Sequence, residues 1–318
     1  MVDWKPGAPL SNLHTRAEAL KKIRQFFEQR NILEVDTPVV ARTTVSDIYI
    51  ESMSVEFKTD RSSTIRYLQT SPEFFMKRLL ASGSGSIYQI CKVFRQEEIG
   101  PKHNTEFTML EWYRLSYSME QLMTELQELI QILFSCGDIP RFSYRDIFKQ
   151  YLQFDPHDIS LRELKSLAQK EIDLGSEGLS KTDYLQLLLS NSIEPKLPEF
   201  CFIYDFPIEQ AALSTVQEDD QGVLVAKRFE LFAAGMELAN GYFELNDAQE
   251  QRARFEADNQ VRKEHGLVEY PCDEALIAAL ESGLPSCSGV AVGIDRLIML
   301  LVNADHIDKV IGFSSDRA

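Results

Sequence analysis

Near the start of the chain apolar residues recur at helical spacing, with Leu20, Ile23, Phe26 and Phe27 on one stripe. The stripe predicts a helix from Thr15 to Arg30, with Thr15 and Glu18 at capping-box spacing. Further on the period changes to two. The chain reads as an extended strand from Ile87 to Arg95, a polar loop from Gln96 to Thr105 broken by Gly100 and Pro101, and a second alternating strand from Glu106 to Arg114. That pattern predicts an antiparallel hairpin with a long tip. Because strand side chains alternate, Phe107, Met109, Glu111 and Tyr113 share one face, and Thr108, Leu110 and Trp112 share the other.

Other stretches extend this frame. Ser71 is placed as the N-cap of a helix and Pro72 in its first turn, so Glu73 sits at a helix N-terminus, facing whatever that end binds. From Ser118 to about Lys196 the periodicity is helical, through Leu122, Leu126, Leu129, Ile130 and Leu133, with a second capping box from Ser160 to Glu163. This middle region reads as packing or as a surface for a protein partner. Strands return from Phe200 to Leu245, where a turn near Gly235 lets Glu230 and Glu237 lie across a hairpin. Asn240 and Gly241 signal a turn or bulge, which would let Glu237 and Glu244, of opposite parity, face one pocket. The last pattern is a small-residue strand, Gly289 to Gly293, entering an apolar helix that runs to Leu301 and carries Arg296 near its start.

Charge narrows the choice of ligand. The 318 residues hold 33 Lys and Arg against 49 Asp and Glu, a formal net charge of -16. Nucleic-acid binders draw their affinity from basic surface, so tRNA binding is disfavoured. A local basic patch is expected at Lys77, Arg78, Lys92 and Lys102, as a surface to steer an acidic partner. The five cysteines are odd in number and form no C-x-x-C pair, which fits a reducing compartment without structural zinc. No charged start leads into an apolar run, and no stretch approaches about 18 uninterrupted apolar residues. A soluble, cytoplasmic protein is expected.

Arg95 leaves the sheet where the loop begins, His103 lies on the loop, and Phe107 stands on the returning strand. The three suit an anionic, aromatic ligand. Taken alone they also suit an ordinary hairpin with a solvated tip; Arg296 behind a glycine-rich strand is the second element that favours a ligand site. Glu230 and Glu237 on neighbouring strands would repel unless they hold a hard cation such as magnesium or meet basic partners, which the sequence does not identify.

Phe94 to Glu97, followed by His103 and Phe107, resembles motif 2 of the class II aminoacyl-tRNA synthetases, and Gly293 to Arg296 resembles their motif 3. Val35 to Pro38, after the first helix, resembles motif 1. The three occur in the family's order and span nearly the whole chain. Within the class, residues 103–113 and 237–245 resemble the lysine-specific branch. The resemblance implies an α+β fold, an antiparallel β-sheet flanked by helices, in one catalytic domain over residues 1–318 without an anticodon-binding domain. It also implies a homodimer built on the motif 1 helix and strand, with Pro38 at the contact.

The implied chemistry is amino-acid activation with ATP and Mg2+. By resemblance, Arg95 and Arg296 are catalytic, and Arg95, Gln96, Glu97, His103, Phe107, Glu237, Leu238, Gly293 and Arg296 bind ATP, with Arg95 on the α-phosphate and the attacking carboxylate, Glu97 and His103 orienting the nucleotide or pyrophosphate, Phe107 stacked on adenine and Arg296 on its other face or at the phosphates. Glu230 and Glu237 hold magnesium. Ser71, Pro72, Glu73, Glu111, Tyr113, Asn240, Glu244 and Ala291 take the amino acid, Glu244 with Tyr113 receiving a distal ammonium group, which selects lysine or a close isomer. Ala291 stands where the tRNA-charging lysine enzymes usually have glycine, and its methyl is expected to favour a displaced amino group. The architecture resembles bacterial paralogues of lysyl-tRNA synthetase that attach (R)-β-lysine to a lysine of elongation factor P. Two alternatives remain open: a free-standing lysyl-adenylate synthetase charging tRNA or another carrier, and a catalytically silent amino-acid-binding paralogue. The second would be expected to lose Arg95 and Arg296, and both are present.

Overall fold

In the computed structural model, which describes residues 4–58, 62–96, 99–171 and 179–318, the hairpin closes as the alternation predicts. Ile87–Phe94 pairs antiparallel with Glu106–Leu115, setting Gln89 opposite Glu111 and Val93 opposite Phe107. Cys287–Gly293 pairs antiparallel with the other side of Glu106–Leu115, and Leu33–Glu34 pairs parallel with Ile87–Phe94. A three-stranded sheet of Val40–Ala41, Ser63–Leu68 and Ser54–Lys58 accompanies them. These elements belong to one of two units, made of Met1–Tyr117, Glu128–Cys136 and Leu245–Ala318.

The first helix covers one face of this sheet and leaves the other for chemistry. Phe27 stacks on Tyr88 with ring centroids 4.2 Å apart and meets Trp112 edge-on at 5.4 Å. Tyr88 and Trp112 lie opposite each other, on the face that excludes Phe107, Glu111 and Tyr113. The helix runs Leu10–Glu28, five residues ahead of the expected start, and the expected capping box does not form. Pro9 begins it, with its φ at -58°, and nothing between Leu10 and His14 interrupts it. Thr15 is therefore interior, and its hydroxyl donates back to the carbonyl of Ser11 at 3.2 Å.

The second unit, Ser118–Gln127 with Gly137–Glu244, carries its own sheet. Its strands run in the order Glu237–Phe243, Leu224–Ala233, Phe200–Phe206, Arg141–Ser143, with Val216–Glu218 also pairing with Leu224–Ala233. The helices Tyr144–Leu152, Leu161–Glu171 and Lys181–Leu188 supply Tyr144, Phe148, Leu164 and Leu185 to a buried core that includes Phe206 and Phe232 from the sheet. Ser160 and Glu163 form the expected reciprocal cap. The strand Arg141–Ser143 corrects the all-helical reading of this region, three residues being too few to show a period. None of the five cysteines forms a disulfide. Among the described residues, no helix is long and apolar enough to cross a membrane.

Candidate active site

Two arginines approach the motif 2 loop of the first unit from different elements. Arg95 is the first residue past Ile87–Phe94, and its amide donates to the Thr105 carbonyl at 3.0 Å, closing the loop behind it. Its guanidinium carbon lies 5.2 Å from the centroid of the half-buried Phe107 ring. Arg296 sits in the first turn of the helix Ile294–Leu301, with its Nη2 2.5 Å from His103 Nε2 and its Nε 3.4 Å from the Lys102 carbonyl. Reciprocal backbone hydrogen bonds between Gly100 and His103 shape the loop that presents this imidazole. Gln96 is exposed, its amide donating to the Glu51 carbonyl at 2.9 Å, while Glu97 lies outside the described residues. Gly293 caps the helix. A Cβ there would meet only the Arg296 side chain, at an ordinary 3.7 Å, so packing within the chain does not demand glycine. Two guanidinium groups beside a helix N-terminus and an aromatic face make a site for a polyanion with a ring.

Farther along the same strand face stands a carboxyl group that is 3% exposed. Glu111 Oε1 accepts from the Tyr113 hydroxyl at 2.7 Å, and Oε2 accepts from the Ser71 hydroxyl at 2.7 Å. Ser71 in turn accepts the amide of Glu73 at 3.0 Å, although the N-cap position itself is Pro72, one residue later than expected. Small residues face this group across the sheet, Ala291 opposite Glu111 and Gly289 opposite Tyr113. Burial, and then the charge of Glu73, push the Glu111 carboxyl up to about 7, against the pull of Tyr113, Ser71 and Lys77. Lys77 pairs with Glu73 at 2.7 Å and is only 1% exposed. It therefore cannot belong to the surface patch expected with Arg78, Lys92 and Lys102. In the helix that starts at Glu73 its position faces inward.

In the second unit the acidic hairpin differs in register from the expectation. Glu230 lies opposite Asn240, and Glu237 lies opposite Phe232, because Leu238 is an extra residue between the pairs Leu231–Ala239 and Phe232–Glu237. The bulge is thus at Leu238, while Asn240 and Gly241 pair regularly. Its effect is the one anticipated. With one residue added, Glu237 shares a face with Glu230 and Asn240, and counting on by two places Glu244 there as well. Glu244 follows the strand end and bridges to Ser214.

A cavity of about 600 Å³ in this unit is lined by Glu194, Gln210, Arg228, Glu230, Phe232 and Glu237, among others. Arg228 donates to Glu230 Oε1 and to the Gln210 carbonyl at 3.0 Å. Burial nevertheless raises the Glu230 carboxyl to about 7, Glu237 adding to the rise and Arg228 opposing it. Asn240 Oδ1 is buried with no hydrogen-bond partner. Two carboxylates on one face of the hairpin are oxygen donors of the kind magnesium takes, and an ion there would fill its other positions with water or phosphate and share Glu230 with Arg228.

The sequence reading passed over two residues. Arg228, two positions before Glu230 on the same face, is one. Asn104 is the other: its amide donates to the Glu106 carbonyl at 2.6 Å and its Oδ1 accepts from the Ser315 amide at 3.0 Å, tying the loop to the C-terminal segment. Its place between His103 and Phe107 was the available signal.

Residues 1–317 match the family model for tRNA synthetases class II (D, K and N). Among curated relatives, the elongation factor P--(R)-beta-lysine ligase of Vibrio cholerae is 48% identical over 322 residues, covering 99% of each chain. Proteins of the same name from Vibrio vulnificus and Mannheimia succiniciproducens are 48% and 44% identical, the first over 98% of each chain and the second over 99% of this chain and 98% of its own.

Proposed function

The chain belongs to the class II tRNA synthetases (D, K and N), and we propose that within this family it is an ATP-dependent ligase that activates (R)-β-lysine as an acyl adenylate and transfers it to a lysine side chain of elongation factor P. One observation carries the reading. Phe107 and Glu111 share one face of one strand, about 13 Å apart, with Arg95 over the ring and Ser71 and Tyr113 on the carboxyl. The strand thus offers a nucleotide-ring seat at one end and an ammonium seat at the other. Relatives 44% to 48% identical over nearly their whole length, bearing the name of that ligase, support the choice of substrate and acceptor.

In the first step a carboxylate oxygen of the amino acid attacks the α-phosphorus of ATP; the new O–P bond forms as the α–β bridge breaks, and pyrophosphate leaves. Arg95 and Arg296 stabilise the charge that builds on the transferring group, His103 orients Arg296, and Phe107 stacks on adenine. Gln96, Glu97, Leu238 and Gly293 complete the nucleotide seat. Glu230 and Glu237 would hold magnesium, which when bound would supply neutralising charge at the phosphates. Ser71, Pro72, Glu73, Glu111, Tyr113, Asn240, Glu244 and Ala291 seat the amino acid, the carboxylates offsetting the desolvation of its ammonium groups. In the second step the acceptor's uncharged amine attacks the acyl carbon, an amide bond forms, AMP leaves with the mixed-anhydride oxygen, and the proton lost by the nitrogen passes to the departing phosphate or to water.

The net charge of -16 argues against tRNA as acceptor. Leu33 and Val39, 54% and 39% exposed after the first helix, support a homodimer through that segment. A cytoplasmic location belongs to this reading, supported by cysteines that form no disulfide and by a translation factor as acceptor. Single-turnover transfer from enzyme-bound adenylate tests the reading. Label from (R)-β-lysine should pass to elongation factor P and not to total tRNA; transfer to tRNA alone overturns the assignment.

A further inference from the structure

Gln89 stands directly opposite Glu111 across the hairpin. Directly opposed residues in an antiparallel pair project to the same face, so its side chain rises beside Glu111 and on the side of Tyr113, away from the first helix. It is 2% exposed, and neither its Oε1 nor its Nε2 has a hydrogen-bond partner among the described residues. Buried side-chain amides are almost always satisfied, because an unmet donor or acceptor forfeits its hydration for nothing. One whose two atoms are both unmet, beside a carboxyl already held by Tyr113 and Ser71, is a group prepared for a partner that the chain itself does not supply.

Counting donors identifies that partner. An ammonium carries three N–H donors and no acceptor. Glu73 and Glu111 provide two acceptors near one another, Ser71 joining them by donating its hydroxyl to Glu111 and accepting the backbone amide of Glu73. A third carboxylate would add negative charge beside these two, while the buried Lys77 is already paired with Glu73. A neutral amide oxygen completes the set at lower electrostatic cost.

We infer that Gln89 is a specificity-determining residue of the amino-acid pocket: its Oε1 accepts from the substrate ammonium nearest the carboxylate, as the third acceptor beside Glu73 and Glu111. This rests on the activation chemistry proposed above and adds to it a residue on the outgoing strand. With the ammonium in place, the Gln89 Nε2 is free to donate to the free lone pairs of Glu111, so both halves of the amide are met at once.

Calorimetric titration of the full-length wild type, Gln89→Leu and Gln89→Glu tests the inference. The two probes are (R)-β-lysine and 6-aminohexanoic acid, which lacks only the amino group that Gln89 is inferred to meet. Gln89→Leu should weaken (R)-β-lysine by about tenfold to a hundredfold, the range for one hydrogen bond to a charged group, and leave 6-aminohexanoic acid unchanged. Gln89→Glu, which keeps an acceptor oxygen but adds a third carboxylate, should recover only part of the lost affinity. Equal weakening of both probes by Gln89→Leu would assign Gln89 a merely structural role, and unchanged binding of (R)-β-lysine would remove it from the site; either overturns the inference. ATP–pyrophosphate exchange by the wild type is read in parallel. A wild type that binds (R)-β-lysine without exchange refutes the activation reading and leaves the role of Gln89 decided by the titrations, and a wild type that binds neither probe overturns both.

Discussion

Asp295 holds Arg16 at 2.5 Å through Oδ1 and accepts the backbone amide of Thr108 at 2.6 Å through Oδ2, while Arg16 also donates to the Thr108 hydroxyl at 2.7 Å. One buried carboxylate thereby ties the first helix, the returning strand of the hairpin and the helix that carries Arg296. Removing one partner of a buried charge pair costs about 3–5 kcal/mol, less where the other partner keeps some water, as Arg16 does. Asp295→Ala should lower the urea midpoint by an amount equivalent to about 2–3 kcal/mol with an unchanged m-value, and should raise the KM for ATP because the seat of Arg296 loosens.

Phe107 and the two arginines should separate in kinetics. Phe107→Ala removes a stacking surface worth about 1–3 kcal/mol, so the KM for ATP should rise by about tenfold to a hundredfold with kcat little changed. Arg95→Ala and Arg296→Ala remove charge stabilisation of the transferring phosphoryl, and exchange rates should fall by about a hundredfold or more in kcat. Lysine at position 95 should not restore them, because its ammonium lacks the planar fork.

The Glu111 carboxyl, raised to about 7, gives opposite pH signs for binding and stability. As pH falls through 7 the group takes up a proton and stops attracting an ammonium, so the KM for the amino acid should rise between pH 8 and 6, and Glu111→Gln should flatten that slope. In the unfolded chain a glutamate titrates at about 4.3. Between those values the folded state binds more protons than the unfolded, so this group's penalty is absent below about 4.3, grows with pH and is complete above 7. Glu230, also raised to about 7, acts with the same sign. Thermal melts of the ligand-free protein should therefore show these two groups favouring pH 6 over pH 8, and Glu111→Gln should diminish that difference.

Magnesium dependence should report on the acidic hairpin. Chelation should abolish pyrophosphate exchange, and Glu237→Gln or Glu230→Gln should raise the magnesium concentration for half-maximal exchange about tenfold or more, as loss of one of few oxygen ligands would. Retained magnesium sensitivity in both variants would remove these residues from the metal site.

Ala291 faces Glu111 from the neighbouring strand, and its methyl is the feature expected to favour a displaced amino group. One methyl discriminates by about 1–3 kcal/mol. Ala291→Gly should accordingly reduce the ratio of kcat/KM for (R)-β-lysine over α-lysine by about tenfold or more, chiefly by improving α-lysine.

Elements with a long, strong period were legible in the sequence. The hairpin at 87–115 closed with its predicted faces, and Arg296 fell in the first turn of its helix. Local signals near element ends were less reliable. Thr15 with Glu18 spelled a cap that an earlier start overrode, and Pro72 took the N-cap place assigned to Ser71. The bulge was anticipated for the right effect at the wrong residue, since asparagine and glycine tolerate a bulge without requiring one, and cross-strand pairing set it at Leu238.

The sequence by itself determined which chemistry the chain carries: an arginine, an imidazole and a phenylalanine around one loop, a second arginine behind a glycine, and carboxylates at alternating positions on strands. Side-chain type and period are local properties, and they survive in a linear reading. Tertiary structure alone decided how those groups are charged and held. That Glu111 is buried between Tyr113 and Ser71 and raised by Glu73, that Lys77 is drawn inside to pair, and that Gln89 is left unmet beside them depend on residues brought together from separate elements. Desolvation and Coulomb interaction act through space, so no spacing along the chain encodes them.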